Sequence, residues 1–294
     1  MQGLRQAAQR RLQGCDLRAA LPVPKTDPLG VWMKAAHLTM LRPRGVAVAL
    51  STMLAVAGGA LTGCGGGPNA SERPLTVLFI DISQSTENAR NRGGLYEQWA
   101  NKATKQTALA QGTLYAAWAD ANTVATSIWE IDGHRFKPAT SGSSQIIDGE
   151  LRKQADDLAQ QLSALVSSRS SRGSDLLGAL QMASQLFGNY PQRPRSLILL
   201  TDGAVNVGGV NLRAPPKNAV VIKHIIARLR KRGELPDLTG GKGEPVRVWI
   251  AGLGHGLGRE KSRGAIAFWQ ALIPHTHGEL VAYNSGTLRL ANFP

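Results

Sequence analysis

Three stretches of the chain are almost unbroken apolar runs: LTVLFID (75–81), SLILLTD (196–202) and VRVWIAGLG (246–254). Runs of that kind, without polar alternation, predict strands buried on both faces. Between them the period changes. Residues 91–118 carry Leu95, Trp99, Ala103, Leu109 and Leu114 with charges between, and predict one long helix. Residues 145–166 set Leu151, Leu158, Leu162 and Leu165 at helical spacing, and further helices are predicted over 175–187, 218–232 and 260–273. TVATSIWEI (123–131) is rich in β-formers, and HRFKPAT (134–140) reads as a short edge strand after a turn at Asp132-Gly133. GELVAY (278–283) reads as a last strand, and SSRSSRGS (167–174) as a polar loop. No internal repeat is visible.

Buried strands alternating with helices predict one α/β domain over residues 75–285, a doubly wound, mostly parallel sheet flanked by helices. Its crossovers should be right-handed, and a ligand should bind in the crevice at the carboxyl ends of the strands. Residues 286–294 are left as a short C-terminal tail.

The pattern upstream of residue 75 differs. Lys34, Arg42 and Arg44 precede residues 45–61, which are almost entirely apolar or small, and Leu61-Thr62-Gly63-Cys64 closes the run. A basic start, a short apolar core and small residues at the cut predict a secretory signal peptide over 33–63. The run is shorter than the roughly 20 residues a membrane span needs. Leu-Thr-Gly-Cys resembles the bacterial lipobox, which implies lipidation of Cys64 and anchoring of an exported protein to a membrane, at the cell surface or in the periplasm. CGGGPNASERP (64–74) then reads as a flexible tether. Residues 1–32 read as an extension upstream of a start at Met33 or Met40.

This division changes the meaning of the charge. The chain carries 34 Lys/Arg against 20 Asp/Glu, a net charge of +14. Residues 1–63 hold eight of the bases and two of the acids, so the remainder stands at +8, with 26 bases against 18 acids. Part of that lies in RLRKR (228–232), which closes a predicted helix, where cations complement the dipole. No aromatic residues are interleaved with it, so nucleic acid is not the expected partner. Cys15 and Cys64 are the only cysteines, and neither leaves a disulfide to the exported domain. The fold must hold by its core.

The candidate chemistry lies where the apolar runs end. The first ends in Asp81 and continues to Ser83 and Ser85, and the second ends in Asp202. Gly173-Ser174-Asp175 opens a helix between them. Three loops thus offer hard oxygens to one sheet edge: carboxylates from Asp81 and Asp202, hydroxyls from Ser83, Ser85 and Ser174. That set suits a hard divalent cation, Mg²⁺ first, with Mn²⁺ or Ca²⁺ as alternatives. Neutral hydroxyls would leave the ion electron-poor and ready to take a carboxylate from outside. The competing reading is that the serines only cap the following helix.

Asp81-x-Ser83-x-Ser85 after a buried strand, Gly-Ser-Asp at a helix start and Thr-Asp-Gly after a second buried strand, in that order, resemble the von Willebrand factor A domain with its metal-ion-dependent adhesion site. The resemblance covers roughly residues 75–285. It implies that Ser83 and Ser85 bind the metal directly, that Asp81 and Asp202 act largely through water and hydrogen bonds, and that Ser174 stands where the family has threonine. Serine keeps the hydroxyl but lacks the β-branch, so its rotamer is freer. A shifted register would give that role to Asp175.

Enzymatic readings find less support. A phospho-aspartyl enzyme of the haloacid dehalogenase type wants Asp-x-Asp-x-Thr, and Ser83 stands where its second aspartate would be. No Gly-x-Ser-x-Gly sits at a strand–turn–helix elbow. His255 should fall at the crevice edge as a solvated loop residue, and His275 and His277 have no third ligand in view. Trp99, Trp129, Trp249 and Trp269 fall in predicted elements and are expected to pack in or near the core. The expectation is a lipid-anchored, non-enzymatic envelope protein that binds a protein partner offering Asp or Glu through the metal. Its alternative is a structural subunit of an envelope assembly, of secretion or conjugation type, with the metal optional. A weaker possibility is an anionic surface bound through 228–232.

Overall fold

The computed structural model describes residues 73–284, apart from 92–93, 125–128, 139–142, 206–209, 213, 217 and 240–243. The extension, the expected signal peptide, Cys64, nearly all of the tether and the tail 286–294 lie outside the described residues.

In chain order the elements are β1 (Leu75–Asp81), a single 3-10 turn (Gln84–Thr86), α1 (Glu87–Arg90), α2 (Leu95–Leu109), β2 (Thr113–Ala119), β3 (Ile131–Arg135), α3 (Ser144–Ser168), α4 (Leu176–Gly188), β4 (Arg195–Leu200), α5 (Ala219–Lys231), β5 (Val246–Ala251), α6 (Arg259–His275) and β6 (Gly278–Asn284). The strands form one sheet in the order β3-β2-β1-β4-β5-β6. Every pairing is parallel except β2–β3, which is antiparallel. This is the doubly wound, mostly parallel α/β sheet the apolar runs predict.

Alternation along β1 divides the core. Leu75, Val77 and Phe79 face a layer built from α4, α5 and α6, with Leu180, Ile226, Phe268 and Trp269 fully or almost fully buried. Leu78 and Ile80 face the opposite layer, where Tyr96 and Trp99 of α2 and Leu151, Leu158 and Leu162 of α3 close over the sheet. Both faces are covered, which is why β1, β4 and β5 have no room for polar alternation. RLRKR sits where expected, with Arg228, Arg230 and Lys231 in the last turn of α5. Among the described residues no helix is long and apolar enough to cross a membrane.

Three expectations are corrected. The helix predicted over 91–118 is α2 followed by a strand, β2, lying parallel to β1 from Leu75↔Thr113 to Asp81↔Ala119. The helix stops because Gln111 turns into the left-handed region (φ 51°) and the Gly112 N–H returns to the Thr107 carbonyl at 2.8 Å. A β-carbon on Gly112 would come within 2.7 Å of the Pro74 carbonyl oxygen, so the chain can make this turn against the start of β1 only with glycine. The strand expected over 123–131 is not formed where it is described: Thr123 and Val124 lie in a turn, and only Ile131 belongs to β3. Asp132 and Gly133, expected as a turn, are inside β3, and 139–140 lie outside the described residues.

Candidate metal centre

Strand order reverses between β1 and β4. β2 lies on one side of β1 and β4 on the other, so the crossovers leave a crevice at the carboxyl ends of these two strands. Their register pairs Ile80 with Leu200, which brings the residues that follow, Asp81 and Thr201, side by side. The Thr201 hydroxyl donates to Asp81 Oδ2 at 2.7 Å and accepts the Gly203 N–H at 2.9 Å. Asp81 Oδ1 accepts the Ser83 N–H at 2.9 Å. Both oxygens of this fully buried carboxylate are therefore engaged by protein.

The loop after Asp81 is held from beneath. Thr86 donates its hydroxyl to the carbonyls of Asp81 and Ser83, both at 2.8 Å, and this closes the 3-10 turn. The Ser83 and Ser85 hydroxyls then stand 3.1 Å apart, Ser83 buried and Ser85 exposed. Ser83 stands at the N-cap of the 3-10 turn, but neither hydroxyl makes a side-chain cap hydrogen bond. Arg90 of α1, 5% exposed, reaches across with Nε to Thr86 Oγ1 at 3.2 Å and with Nη1 to the carbonyl of Val166 at 3.4 Å and that of Arg169. It thereby joins the first loop to the end of α3. A short parallel bridge does the same from above: Ser171 N–H donates to the Ile82 carbonyl at 2.8 Å, and Gln84 N–H to the Ser171 carbonyl at 3.2 Å.

That bridge leads into the second loop. Ser174 is fully buried and donates its hydroxyl to the Ala204 carbonyl at 3.1 Å. Asp175 is the N-cap of α4, with Oδ1 accepting the Gly178 N–H at 2.9 Å. Its Oδ1 is thus engaged by the helix, while the Ser174 hydroxyl faces the third loop.

The third loop carries Asp202. Its Oδ1 accepts the Ala204 N–H at 2.8 Å, while Oδ2 is buried with no hydrogen-bond partner. Gly203 follows with φ 81°, and a β-carbon there would lie 2.3 Å from Leu253 Cδ1, so the turn after Asp202 is closed to other residues. Trp269 braces the same turn through its indole N–H, 3.1 Å from the Gly203 carbonyl.

The electrostatics of the three loops follow from burial. Asp81 is pushed up from 3.8 to about 7, first by removal from water, then by the charge of Asp202. The hydrogen bonds from Thr201 and Ser83 work against the rise. Asp202 is raised too, again mainly by burial, against the pull of the Ser85 hydroxyl, the Ala204 amide and His255. The buried Tyr96 hydroxyl, also without a hydrogen-bond partner, titrates well above its ordinary value through burial and the fields of both aspartates.

Two buried carboxylates that repel each other, one with an orphaned oxygen, beside converging hydroxyls are a donor set short of a cation. The residues present fit a divalent ion. Ser83 and Ser85 would offer direct oxygens, and Asp81, Asp202 and Ser174 would support the ion's remaining shell. Among the described residues no group of three or more His, Cys, Asp or Glu side chains converges as a metal site, so the candidate set rests on hydroxyls beside two carboxylates. His275 meets Arg230, and His277 meets Asp237 at 3.2 Å.

Thr201, Thr86 and Arg90 are the site residues that sequence reasoning missed. Thr201 had a signal, as the hydroxyl residue directly before the second aspartate. Arg90 had none, because the carbonyls through which it ties the first loop to α3 lie more than 70 residues away.

No protein-family model matches the sequence, and no curated protein matches it. Among solved structures, the chain is similar to the manganese-loaded TRAP protein of Plasmodium vivax (15% identity, TM-score 0.35, 67% of this chain and 63% of that one). It is similar also to the pilus adhesin SpaC of Lactobacillus rhamnosus GG (13% identity, TM-score 0.41, 70% and 28%). A third is an aerotolerance-related membrane protein of Bacteroides fragilis (14% identity, TM-score 0.34, 74% and 92%). The chain spans less than two thirds of the first two proteins. At these identities nothing about its ligands or partners follows from them.

Proposed function

We propose that the domain is a metal-dependent protein-binding module of the von Willebrand A type. Its divalent ion, Mg²⁺ in the first instance, is held by Ser83 and Ser85 and supported by Asp81, Ser174 and Asp202, and a partner's Asp or Glu completes its shell. One observation carries the reading: Asp202 Oδ2 is buried without a partner in the charge field of Asp81, beside the paired hydroxyls of Ser83 and Ser85. A bound cation removes the repulsion and satisfies the orphaned oxygen together. Nothing in the reading asks the site to break a covalent bond, so a binding role is proposed and not catalysis. Lipidation at Cys64 would hold the module on a membrane, exported to the cell surface or periplasm.

A second reading has one observation in its favour. Asp81 has both oxygens engaged, and the Ser174 hydroxyl is donated to Ala204, so the loops are knit together by protein alone. On that reading the metal is optional, and the domain is a structural subunit of an envelope assembly.

Thermal unfolding of the full chain with EDTA, then with millimolar Mg²⁺, Mn²⁺ or Ca²⁺, separates the two. An ion at 100 times its dissociation constant adds about 2.7 kcal/mol to the folded state. That is a rise of roughly 5–10 °C for a domain of this size. The first reading expects the rise in the native chain and none in Ser83→Ala/Ser85→Ala. No rise with any ion leaves the structural reading.

A further inference from the structure

The metal centre opens into a cleft of about 300 Å³ whose walls include Arg172 and Lys261 but no acidic side chain. Its apolar wall is Leu212, Pro215 and Leu257. Pro215 and Lys261 also line a second and larger cavity, about 920 Å³, between the start of α5 and the face of α6. These two shared residues make the cavities neighbours, the second continuing the line of the first along α6.

The second cavity has a consistent chemistry. Its floor is apolar: Pro216 and Ile222 are buried there, and Ala219, Ala267 and Ala271 line it. Gly264 lets the Pro215–Pro216 segment come close to α6, since a β-carbon at 264 would meet Pro215 Cβ at 2.6 Å. Its rim is basic. Lys223, Lys261 and Arg263 are exposed and make no ion pair among the described residues, against a single acid, Glu260.

We propose that these two adjoining cavities together form the docking groove for an extended acidic–apolar peptide segment of the partner. The segment enters with one carboxylate on the ion, passes Lys261, and lays further carboxylates along Lys223 and Arg263 while its apolar side chains cover Ile222 and Ala267. The inference deepens the metal-dependent reading and rests on it for the first carboxylate. A concave apolar floor with a cationic rim selects a single peptide chain over a flat anionic surface. A lipid headgroup layer would meet the cations but leave the floor uncovered. The net positive charge of the lining also sets the sign of the partner and speeds its encounter.

The test uses the full chain, Mg²⁺ and a fluorescein-labelled peptide in which Glu alternates with Leu behind a leading Asp, read by anisotropy. Controls are the same peptide with each Leu replaced by Ser, and vesicles of mixed phosphatidylcholine and phosphatidylserine. Lys223→Glu/Arg263→Glu should weaken the Leu peptide on the order of tenfold. Ala267→Trp, which fills the floor without changing charge, should weaken the Leu peptide and leave the Ser peptide unaffected. Both variants keep the metal-induced rise in melting temperature, since neither touches the three loops. Ser83→Ala/Ser85→Ala abolishes the Mg²⁺ dependence, and sensitivity to Lys223 and Arg263 that survives in that background supports the groove on its own. The groove is overturned if charge reversal changes affinity by less than twofold, or if Leu and Ser peptides bind alike. It is also overturned if the vesicles bind through Lys223 and Arg263 and the peptide does not. Failure of the metal reading shows separately, as no thermal response to any ion.

Discussion

Replacing Thr201 by valine removes one oxygen and leaves the volume almost unchanged, so no cavity complicates the result. Two hydrogen bonds go with that oxygen, the one donated to Asp81 Oδ2 at 2.7 Å and the one accepted from the Gly203 N–H at 2.9 Å. Thr201 and Asp81 are both fully buried, so water does not replace what is lost. A hydrogen bond to a charged group contributes about 1.5–3 kcal/mol, and an orphaned buried amide costs about 1–3 kcal/mol. Asp81 can limit the first cost by taking a proton, because its carboxyl already titrates at about 7. Together these suggest a loss of about 3 kcal/mol at neutral pH, or roughly 6–12 °C in melting temperature for a domain of this size. Thr201→Ser retains the hydroxyl and should recover most of the loss. Circular dichroism melts of the three proteins in EDTA decide the matter. A valine variant within 2 °C of the native chain (about 1 kcal/mol or less), or a serine variant as damaged as the valine one, would refute the role given to this hydroxyl.

Other outcomes follow from the same geometry. Asp81 titrates higher folded than the ordinary 3.8, and Asp202 is raised as well, so both favour the folded state when protonated. The Asp81 contribution is complete below about pH 4 and drains away as pH rises through about 7, with Asp202 acting in the same direction, so denaturant titrations in EDTA should show this part of the stability falling over that window, and saturating Mg²⁺ should flatten the slope. Arg90→Met leaves the carbonyls of Val166 and Arg169 without the guanidinium and should cost about 2–4 kcal/mol. Arg90→Lys should not restore it, because an ammonium cannot span the same fork, and hydrogen exchange at Ser171 and Gln84 would report the loosened loops. Asp175→Ala should lose about 1 kcal/mol through the uncapped α4, while the thermal shift with Mg²⁺ persists, because Asp175 serves the helix.

The parts of this molecule legible in the sequence are those whose signals are local. β1, β4 and β5 are buried on both faces, and that alone writes seven- to nine-residue apolar runs into the chain. β2 was hidden for the opposite reason. Three of the seven residues in TLYAAWA are alanine, which is also the best helix former. The helix stop that separates it from α2 is carried by Gln111 and Gly112, a signal of two residues. The site divides in the same way. Asp81, Ser83, Ser85 and Asp202 were visible because strand ends position them, and three of those four lie within five residues. Arg90 and the Ser83–Ser171 bridge depend on how α3 comes to rest, which no local pattern encodes.

The 120-residue separation between Asp81 and Thr201 has a consequence for how the chain matures. A chain that ends before β4 contains the whole Asp-x-Ser-x-Ser loop, yet it lacks both the hydroxyl that orients its carboxylate and the second buried aspartate. On the proposed reading, the loop would gain affinity for an ion only when the sheet has closed on the far side of β1. Contacts so distant in sequence form late, after their loop-closure entropy has been met by the surrounding core. An ion held there would slow unfolding far more than it speeds folding. It would act as a lock fitted to the finished domain, with no part in its assembly.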